Sequence, residues 1–502
     1  MVVVSNIKEL INTQPFVVPE VLSRGFYAAD DLRNRVLWRW NDNGNKTNHN
    51  GWSIIDPNHS AVVGSLSWYS GEHTGTGVWE REETKKLTVL DFGAKDKEGY
   101  DNTLHFQKMA DATGMINIPE SEHAFEIDSI TTTRTTVIQA IEGRARIKLR
   151  PPEIRNAPGF KMVHTFSGIS EGVQIDGNST SRSCVSLQAD DCFARLHAEN
   201  VTADKDSTTY TSGVEVMGDR CSVSITGKNF KNTGQENGSV PRLITVQGKS
   251  NDYHVDVRGH SIQCGLCLGG NTGRGSLGHL YIENAEDNGI YQLGGVLNAG
   301  NVCYNGNEEG IVVGGDLTIN KYLVLGRGIT AIGLNGGTNL QIDNYQIQKE
   351  GEESLGNILK TRSGKGFGRV EIDHVEGRLR GSVLMNLSKR QGDVEELIIN
   401  NADLVYEYDK NVSGNFSQFM NLEAVQSLSI NNFSCRIIDI NDERPSSKFE
   451  IRFPKISERS NFTYLRLQVL QSDEKTVLSK SGINMPNSEQ SHLKVTSIKD
   501  DD

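Results

Sequence analysis

The chain has 502 residues, a net charge of −12 and a hydrophobic content of 36%. That length exceeds what one core needs and suits several domains or one long repeat domain with end pieces. Apolar residues recur along the whole chain, which excludes disorder, and the acidic balance without a basic stripe excludes a nucleic-acid partner.

The opening stretch MVVVSNIKELINTQPFVVPE lacks the basic start and apolar run of a secretion signal. No segment is long enough to span a bilayer. The sequence thus predicts synthesis in a cytoplasm and no membrane insertion. All five tryptophans (Trp38, Trp40, Trp52, Trp68 and Trp79) lie before residue 80. They mark an N-terminal module, residues 1–85, of short strands with turns at Asp42-Asn43-Gly44 and Asn50-Gly51. In so small a module the indole rings are expected to form the core. The seven cysteines have an odd count and irregular spacing, and Cys264–Cys267 has no second pair at zinc spacing. They read as small buried residues.

Residues 87–120, LTVLDFGAKDKEGYDNTLHFQKMADATGMINIPE, predict a strand over Leu87–Leu90 and a helix capped by Asp101 or Asn102. Gly114 ends that helix, and a strand follows over Met115–Ile118. This segment resembles the entry motif of the pectate-lyase superfamily as it occurs in phage tailspikes. The matching residues are Asp91, Phe92, Gly93, Ala94, Lys95, Asp101 and Thr103; the usual G-D-G loop is replaced by Asp96-Lys97-Glu98-Gly99. Gly25–Asp30 and Thr76–Arg81 are similar to tailspike neck modules, so the resemblance spans roughly residues 20–135. It implies an all-β, right-handed parallel β-helix that forms an intertwined homotrimer. Residues 86–160 would be the entry with its capping helix, 161–444 the helix carrying the glycan site, and 445–502 a C-terminal β cap.

The later chain repeats. GLCLGG (265–270), GIYQLGG (289–295), GIVVGG (310–315) and AIGLNGG (331–337) end at glycines 25, 20 and 22 residues apart. A period in the low twenties is that of one parallel β-helix coil. Between them runs apolar-x-apolar-x-Asn: LYIEN (280–284), VCYN (302–305), LQIDN (340–344), LIINN (397–401) and LSINN (428–432). Alternation puts Leu280 and Ile282 inside, with Tyr281 and Glu283 outside. Stacking is expected to align Asn284, Asn305, Asn344, Asn401 and Asn432 as a turn ladder, with Gly326 where it skips. The repeat fades after about residue 440. Asp204–Thr211 and Asn232–Val240 read as loop insertions.

Glycoside hydrolysis needs two carboxyl groups. Glu286-Asp287-Asn288-Gly289-Ile290 aligns with Asn307-Glu308-Glu309-Gly310-Ile311, which places Asp287 near Glu308 or Glu309. Stacked like charges are costly unless one carboxyl keeps a proton, as a general acid must. Glu286, Asp287, Glu308 and Glu309 are therefore the candidate catalytic residues. Tyr291, Tyr281, Arg327 and Glu283 are the candidate sugar contacts. Rival acid sets are Glu283, Asp343, Glu371 and Asp373 on strands, and Glu215 with Asp256. No P-loop, H-E-x-x-H or polygalacturonase motif is present, so no cofactor or metal is implied. The resemblance implies a virion protein that acts at the bacterial surface and docks on a baseplate or other tail proteins through residues 1–85. It would depolymerise capsule, O-antigen or a colanic-acid-type exopolysaccharide. Hydrolysis, lyase chemistry and non-catalytic binding stay open.

Overall fold

The computed structural model describes residues 2–27, 35–70, 73–82, 86–153, 157–203, 211–232, 240–248, 250–326, 330–348, 357–362, 364–381, 384–388, 392–408, 418–422, 424–439, 450–452, 461–462, 465–471 and 493–499. The chain forms two compact units: residues 1–180 with 184–197, and residues 181–183 with 198–502.

The first unit opens with a five-stranded sheet. Val2–Val4 pairs in parallel with Glu20–Ser23, which pairs antiparallel with Val36–Asn45. Val36–Asn45 and Ile54–Ile55 both pair antiparallel with Thr76–Arg81. Trp38, Trp68 and Trp79 are fully buried among Ile7, Leu10, Val21 and Ile55. Trp38 Nε1 donates to Ser23 Oγ (2.9 Å) and Trp68 Nε1 to the Gly51 carbonyl (3.0 Å), whereas Trp79 Nε1 is buried without a partner. Asp42–Gly44 does not close a turn; it lies inside Val36–Asn45, where the pairing register shifts.

The expected strand at Leu87–Leu90 is instead a 3-10 turn, Val89–Phe92. Thr88 N–H and Oγ1 both donate to Asp91 Oδ2 (2.7 and 3.0 Å), and Gly93 closes the turn at φ 91°. Arg81 Nη2 sits 2.8 Å from Asp91 Oδ1. This capping arrangement outweighs the strand preference of the apolar run. The helix is Thr103–Thr113, ended by Gly114 at φ 68°. Asp101 Oδ1 accepts from Thr103 N (2.9 Å), while Asn102 clasps the acidic loop through Lys95 N (2.7 Å) and Lys95 O (3.2 Å). Beyond it, Phe125–Ile127, Ala145–Leu149 and Gly168–Asp176 pair in parallel, as do Ile130–Thr131, Phe160–Met162 and Val185–Leu187.

The second unit is built from two parallel ladders. The short one runs Ser212–Val216, Arg242–Val246, Cys264–Leu268, Ile290–Gln292, Ile311–Val313, Ile332–Leu334, Leu359–Thr361, Met385–Asn386, Gln418–Asn421, Glu450–Arg452. The long one runs Ser222–Asn232, Tyr253–Ile262, Arg274–Ala285, Val296–Gly306, Asp316–Gly326, Gly337–Gln348, Phe367–Gly381, Val394–Tyr408, Val425–Asp439. Each coil gives one strand to each ladder in turn, so the chain is a right-handed parallel β-helix. Ile244, Leu266, Ile290, Ile311 and Ile332 stack in register inside it, all fully buried. Each contributes roughly 1.5–3 kcal/mol by burial. Leu280 and Ile282 are likewise buried, and Tyr281 is exposed. The repeat that fades in sequence near residue 440 continues in structure: Leu465–Gln471 pairs in parallel with Val425–Asp439 and with Leu493–Lys499.

The asparagine ladder differs from the expectation. A register shift between Glu283 and Ala285 leaves Asn284 unpaired at φ 54°. Its companions in left-handed geometry are Asn200 (φ 54°), Asn229 (φ 58°) and Ser261 (φ 53°) in preceding coils, with Asn229 Nδ2 donating to Asn200 Oδ1 at 3.2 Å. Asn305 stands opposite Glu283 and Leu325, and Asn344 opposite Lys321 and His374. Asn344, Asn401 and Asn432 do share one column, with His374 between the first two, and a parallel rung joins Asn400 and Asn431 (2.6 Å). Gly326 faces Gly306. The insertions Asp204–Thr211 and Asn232–Val240 lie almost wholly outside the described residues, as does Arg327.

None of the seven cysteines is joined in a disulfide, and six are buried. No helix among the described residues is long and apolar enough to cross a membrane.

Candidate active site

The residues Glu286, Asp287, Glu308 and Glu309 sit in the turns that lead from the long ladder into the short one. Ile290 pairs with Ile311, so Asp287 stands one rung from Glu308. The two turns are stitched by Gly289 N–H donating to the Gly310 carbonyl (2.9 Å) and by Asn288 Nδ2 donating to the Glu309 carbonyl (2.8 Å). Beneath them lies Tyr304, fully buried in the long ladder. Its hydroxyl donates to the Asp287 carbonyl (2.6 Å). The phenol therefore holds the turn that carries Asp287. Tyr322 and Tyr345, stacked at 5.0 Å, repeat the device on the Ala331 (2.9 Å) and Ile358 (3.4 Å) carbonyls.

The four acids differ in setting. Glu286 is exposed and takes a hydrogen bond from Gln263. Glu308 is exposed. Asp287 is half-buried, and its carboxyl is held above the ordinary aspartate range, first by burial and then by the Glu308 charge, against the opposing pull of Arg362 and Arg242. Glu309 is buried; burial raises its carboxyl too, while Arg362 and then Lys360 pull it back. Arg362 Nε lies 3.0 Å from Glu309 Oε2, an ion pair whose geometry falls short of a hydrogen bond. Gly333 makes room for it: a Cβ there would stand 2.8 Å from Glu309 Oε2 and 3.1 Å from Arg362 Cδ.

Tyr291 projects from the short ladder opposite Cys267 and Val312. It is half-buried, and burial raises its hydroxyl, with Arg362 opposing. The charges of Arg242, Asp287 and Arg362 all act on it. The structure thus gathers Asp287, Glu308, Glu309 and Tyr291 with three cations that the sequence reading missed: Arg242, Lys360 and Arg362. Lys360 follows the row Tyr291, Val312, Gly333 in register. That row was the available signal.

Tyr281 and Glu283 go elsewhere. They stand on the outer face of the long ladder, Tyr281 under the Arg258 guanidinium (5.5 Å) and Glu283 3.3 Å from His260 Nδ1. The rival acids are likewise engaged on strands. Gln341 donates to Asp343 (3.3 Å), Arg369 to Glu371 (2.7 Å), Asn400 to Asp373 (2.6 Å) and Gln247 to Glu215 (2.8 Å). Asp256 belongs to a chain Ser276 Oγ–His254–Asp256 (2.9 and 3.3 Å). It has the members of a hydrolytic triad, but His254 stands on an open strand face where water reaches it.

What fold and site define together is a parallel β-helix with a carboxylate and cation cluster at the turns of adjacent coils. No protein-family model and no curated protein matches the chain. Among solved structures it is similar to the enzymatically active domain of tailspike protein 2 from bacteriophage CBA120, at 13% identity and a TM-score of 0.44, over 91% of this chain and 61% of that one. The full-length form of that tailspike, from an Escherichia coli O157:H7 phage, matches at 14% identity and a TM-score of 0.40, over 91% of this chain and 55% of the other. The chain therefore spans less than two thirds of these two structures. Tailspike gp49 of Acinetobacter baumannii bacteriophage Fri1, described as a capsular polysaccharide depolymerase, matches at 10% identity and a TM-score of 0.35, over 87% and 75%.

Proposed function

We propose that the chain is a phage tailspike that binds a bacterial surface polysaccharide and depolymerises it by endo-glycosidic hydrolysis. The observation that carries the reading is the pair Asp287 and Glu308, one half-buried with a raised carboxyl, the other exposed, on consecutive coils. In this reading Asp287 is the general acid, because its raised carboxyl keeps the proton that the leaving oxygen needs. Glu308 is the opposing carboxylate. Coils lie about 4.8 Å apart, so acids one rung apart suit the retaining arrangement, whose carboxyl groups are about 5–5.5 Å apart. Glu309 is too buried to meet a polymer and serves as a positioning residue that holds Arg362. Tyr291 offers the sugar an aromatic face. Arg242, Lys360 and Arg362 favour an acidic glycan, offsetting the repulsion of a chain whose net charge is −12. Residues 1–85 would dock the spike on a baseplate or another tail protein, and the spike would be a homotrimer carried on the virion; the sequence resemblance supports these points.

A second reading, polysaccharide lyase, is favoured by one observation. The tyrosine and the cations surround the same spot, and a lyase needs cations to neutralise a uronate carboxylate and a base to take the adjacent proton. The test is incubation with a panel of capsules, O-antigens and exopolysaccharides. New reducing ends without ultraviolet absorbance, abolished in Asp287→Asn and Glu308→Gln, support hydrolysis. Absorbance from an unsaturated product that survives in those variants supports the lyase. Tight binding with neither product defeats both and leaves an adhesin.

A further inference from the structure

Three histidines of the N-terminal module converge although their sequence positions are far apart. His49 follows the 3-10 turn Lys46–Asn48, His59 lies in the loop after Ile54–Ile55, and His73 precedes the strand Thr76–Arg81. One ring nitrogen from each lies within 4.8 Å of the other two. The rings touch: His49 and His73 centroids are 4.2 Å apart, His59 and His73 4.5 Å, His49 and His59 5.0 Å.

Hydrogen-bond accounting separates the two nitrogens of each ring. His49 Nε2 lies 2.8 Å from the Trp68 carbonyl, and His59 Nε2 3.1 Å from the Ser67 carbonyl. Carbonyls only accept, so both nitrogens carry the proton. His73 Nδ1 lies 3.2 Å from Asp56 Oδ2, and Asp56 is also paired with Lys46 Nζ at 3.0 Å, both side chains buried. Each imidazole is thus oriented by an oxygen behind it, as the outer-shell partners of metal-bound histidines orient theirs. The opposite nitrogens hold the lone pairs. Those of His49 and His59 receive the backbone N–H of Asp56 (2.9 Å) and of Ala61 (3.1 Å). That of His73, Nε2, is buried without a partner. An unsatisfied buried nitrogen in a ring otherwise so well held is costly.

We propose that His49, His59 and His73 bind a divalent transition-metal ion, zinc by preference, through His49 Nδ1, His59 Nδ1 and His73 Nε2. An all-imidazole set suits zinc, nickel and copper rather than calcium or magnesium. Zinc–nitrogen bonds of about 2.0–2.1 Å in a tetrahedral site bring the nitrogens to about 3.3 Å of one another, so the rings close in by an ångström or so and two backbone N–H bonds are exchanged for metal bonds. The ion neither meets nor needs a charged ligand, because Lys46 already neutralises Asp56. It would staple three connections of a module whose own core is small, coupling metal binding to folding.

The test uses tag-free, full-length protein. Elemental analysis after purification and calorimetric titration of chelator-treated protein with zinc measure stoichiometry and affinity. The expected result is one zinc per chain, a lower melting temperature after chelation, and its recovery on adding zinc. His73→Gln should weaken zinc binding more than about a hundredfold, since loss of even an outer-shell partner costs 10–100-fold. His123→Gln, on an exposed ion pair with Asp96, should leave it unchanged. If His73→Gln fails to fold, cobalt-loaded native protein keeps the question open to refutation: visible absorption with the strength of a four-coordinate site is expected. Absence of stoichiometric binding by zinc or cobalt to folded native protein overturns the proposal, and so does zinc binding undisturbed in a folded His73→Gln variant.

Discussion

Replacing Tyr304 by Phe removes one oxygen and leaves the ring, so the change isolates the hydroxyl. That hydroxyl is buried and donates to the Asp287 carbonyl at 2.6 Å. The Asp287 carbonyl loses its short, buried partner. A buried polar group left unpaired costs about 1–3 kcal/mol, so about 2 kcal/mol is expected for Tyr304→Phe. The chain contains its own comparison. Tyr322→Phe gives up one bond of 2.9 Å to Ala331 and should cost about 1 kcal/mol. Tyr345→Phe gives up a 3.4 Å contact with Ile358, near the limit of a real hydrogen bond, and should cost about 0.5 kcal/mol or less. Urea denaturation of the three variants, read as midpoint shifts at unchanged slope, measures the series. Amide exchange at residues 287–290 should quicken in Tyr304→Phe alone. If Tyr345→Phe costs as much as Tyr304→Phe, the hydroxyls do not hold these turns, and the reasoning fails.

Further outcomes follow from the site and from the first unit. A carboxyl raised in the fold favours the folded state only while it keeps its proton. The strain at Asp287 is therefore absent below the ordinary aspartate value of 3.8 and grows as pH rises through its higher folded value. Asp287→Asn should accordingly be more stable than the native chain at neutral pH, and the difference should vanish in acid; equal stability at both pH values would count against a buried, raised carboxyl. Gly333→Ala places a methyl group 2.8 Å from Glu309 Oε2, so it should show a coupling of about 1 kcal/mol with Glu309→Ala in a double-mutant cycle, against additivity if the contact is immaterial. Asp91→Ala removes the acceptor of Thr88 and the partner of Arg81 and should lower stability by about 1–2 kcal/mol in thermal melts, whereas Asp96→Ala in the neighbouring exposed loop should cost less.

The coil period was legible because glycine pairs recur at the turns, and the inside of the helix because alternation at Leu280 and Ile282 admits one register. The capped helix Thr103–Thr113 was legible from Asp101 and Gly114. What failed to show were interactions that depend on small local decisions. The side chain of Asp91, bonding back to Thr88, turned an apolar run into a 3-10 turn. One extra residue at Asn284 broke the expected column at its start, so that Asn284 and Asn305 fall out of line with Asn344, Asn401 and Asn432. Arg362 reaches Glu309 because Gly333 leaves space, and nothing in the sequence says which distant cation will use a gap. The histidines of the N-terminal module sit in loops without periodicity, so no spacing rule brings them together.

The pairing of Ile290 with Ile311 has a consequence for how such a protein changes over time. Asp287 and Glu308 are separated by one turn of the ladder, and the hydrogen bonds of Gly289 and Gly310 permit no intermediate spacing. The distance between the two acids is therefore quantised. Gradual substitution cannot tune it; only gain or loss of a whole coil, or the migration of an acid to another rung, can. Diversification of a site like this should proceed by exchange of intact coils of about twenty residues, a unit large enough to be inherited as a block.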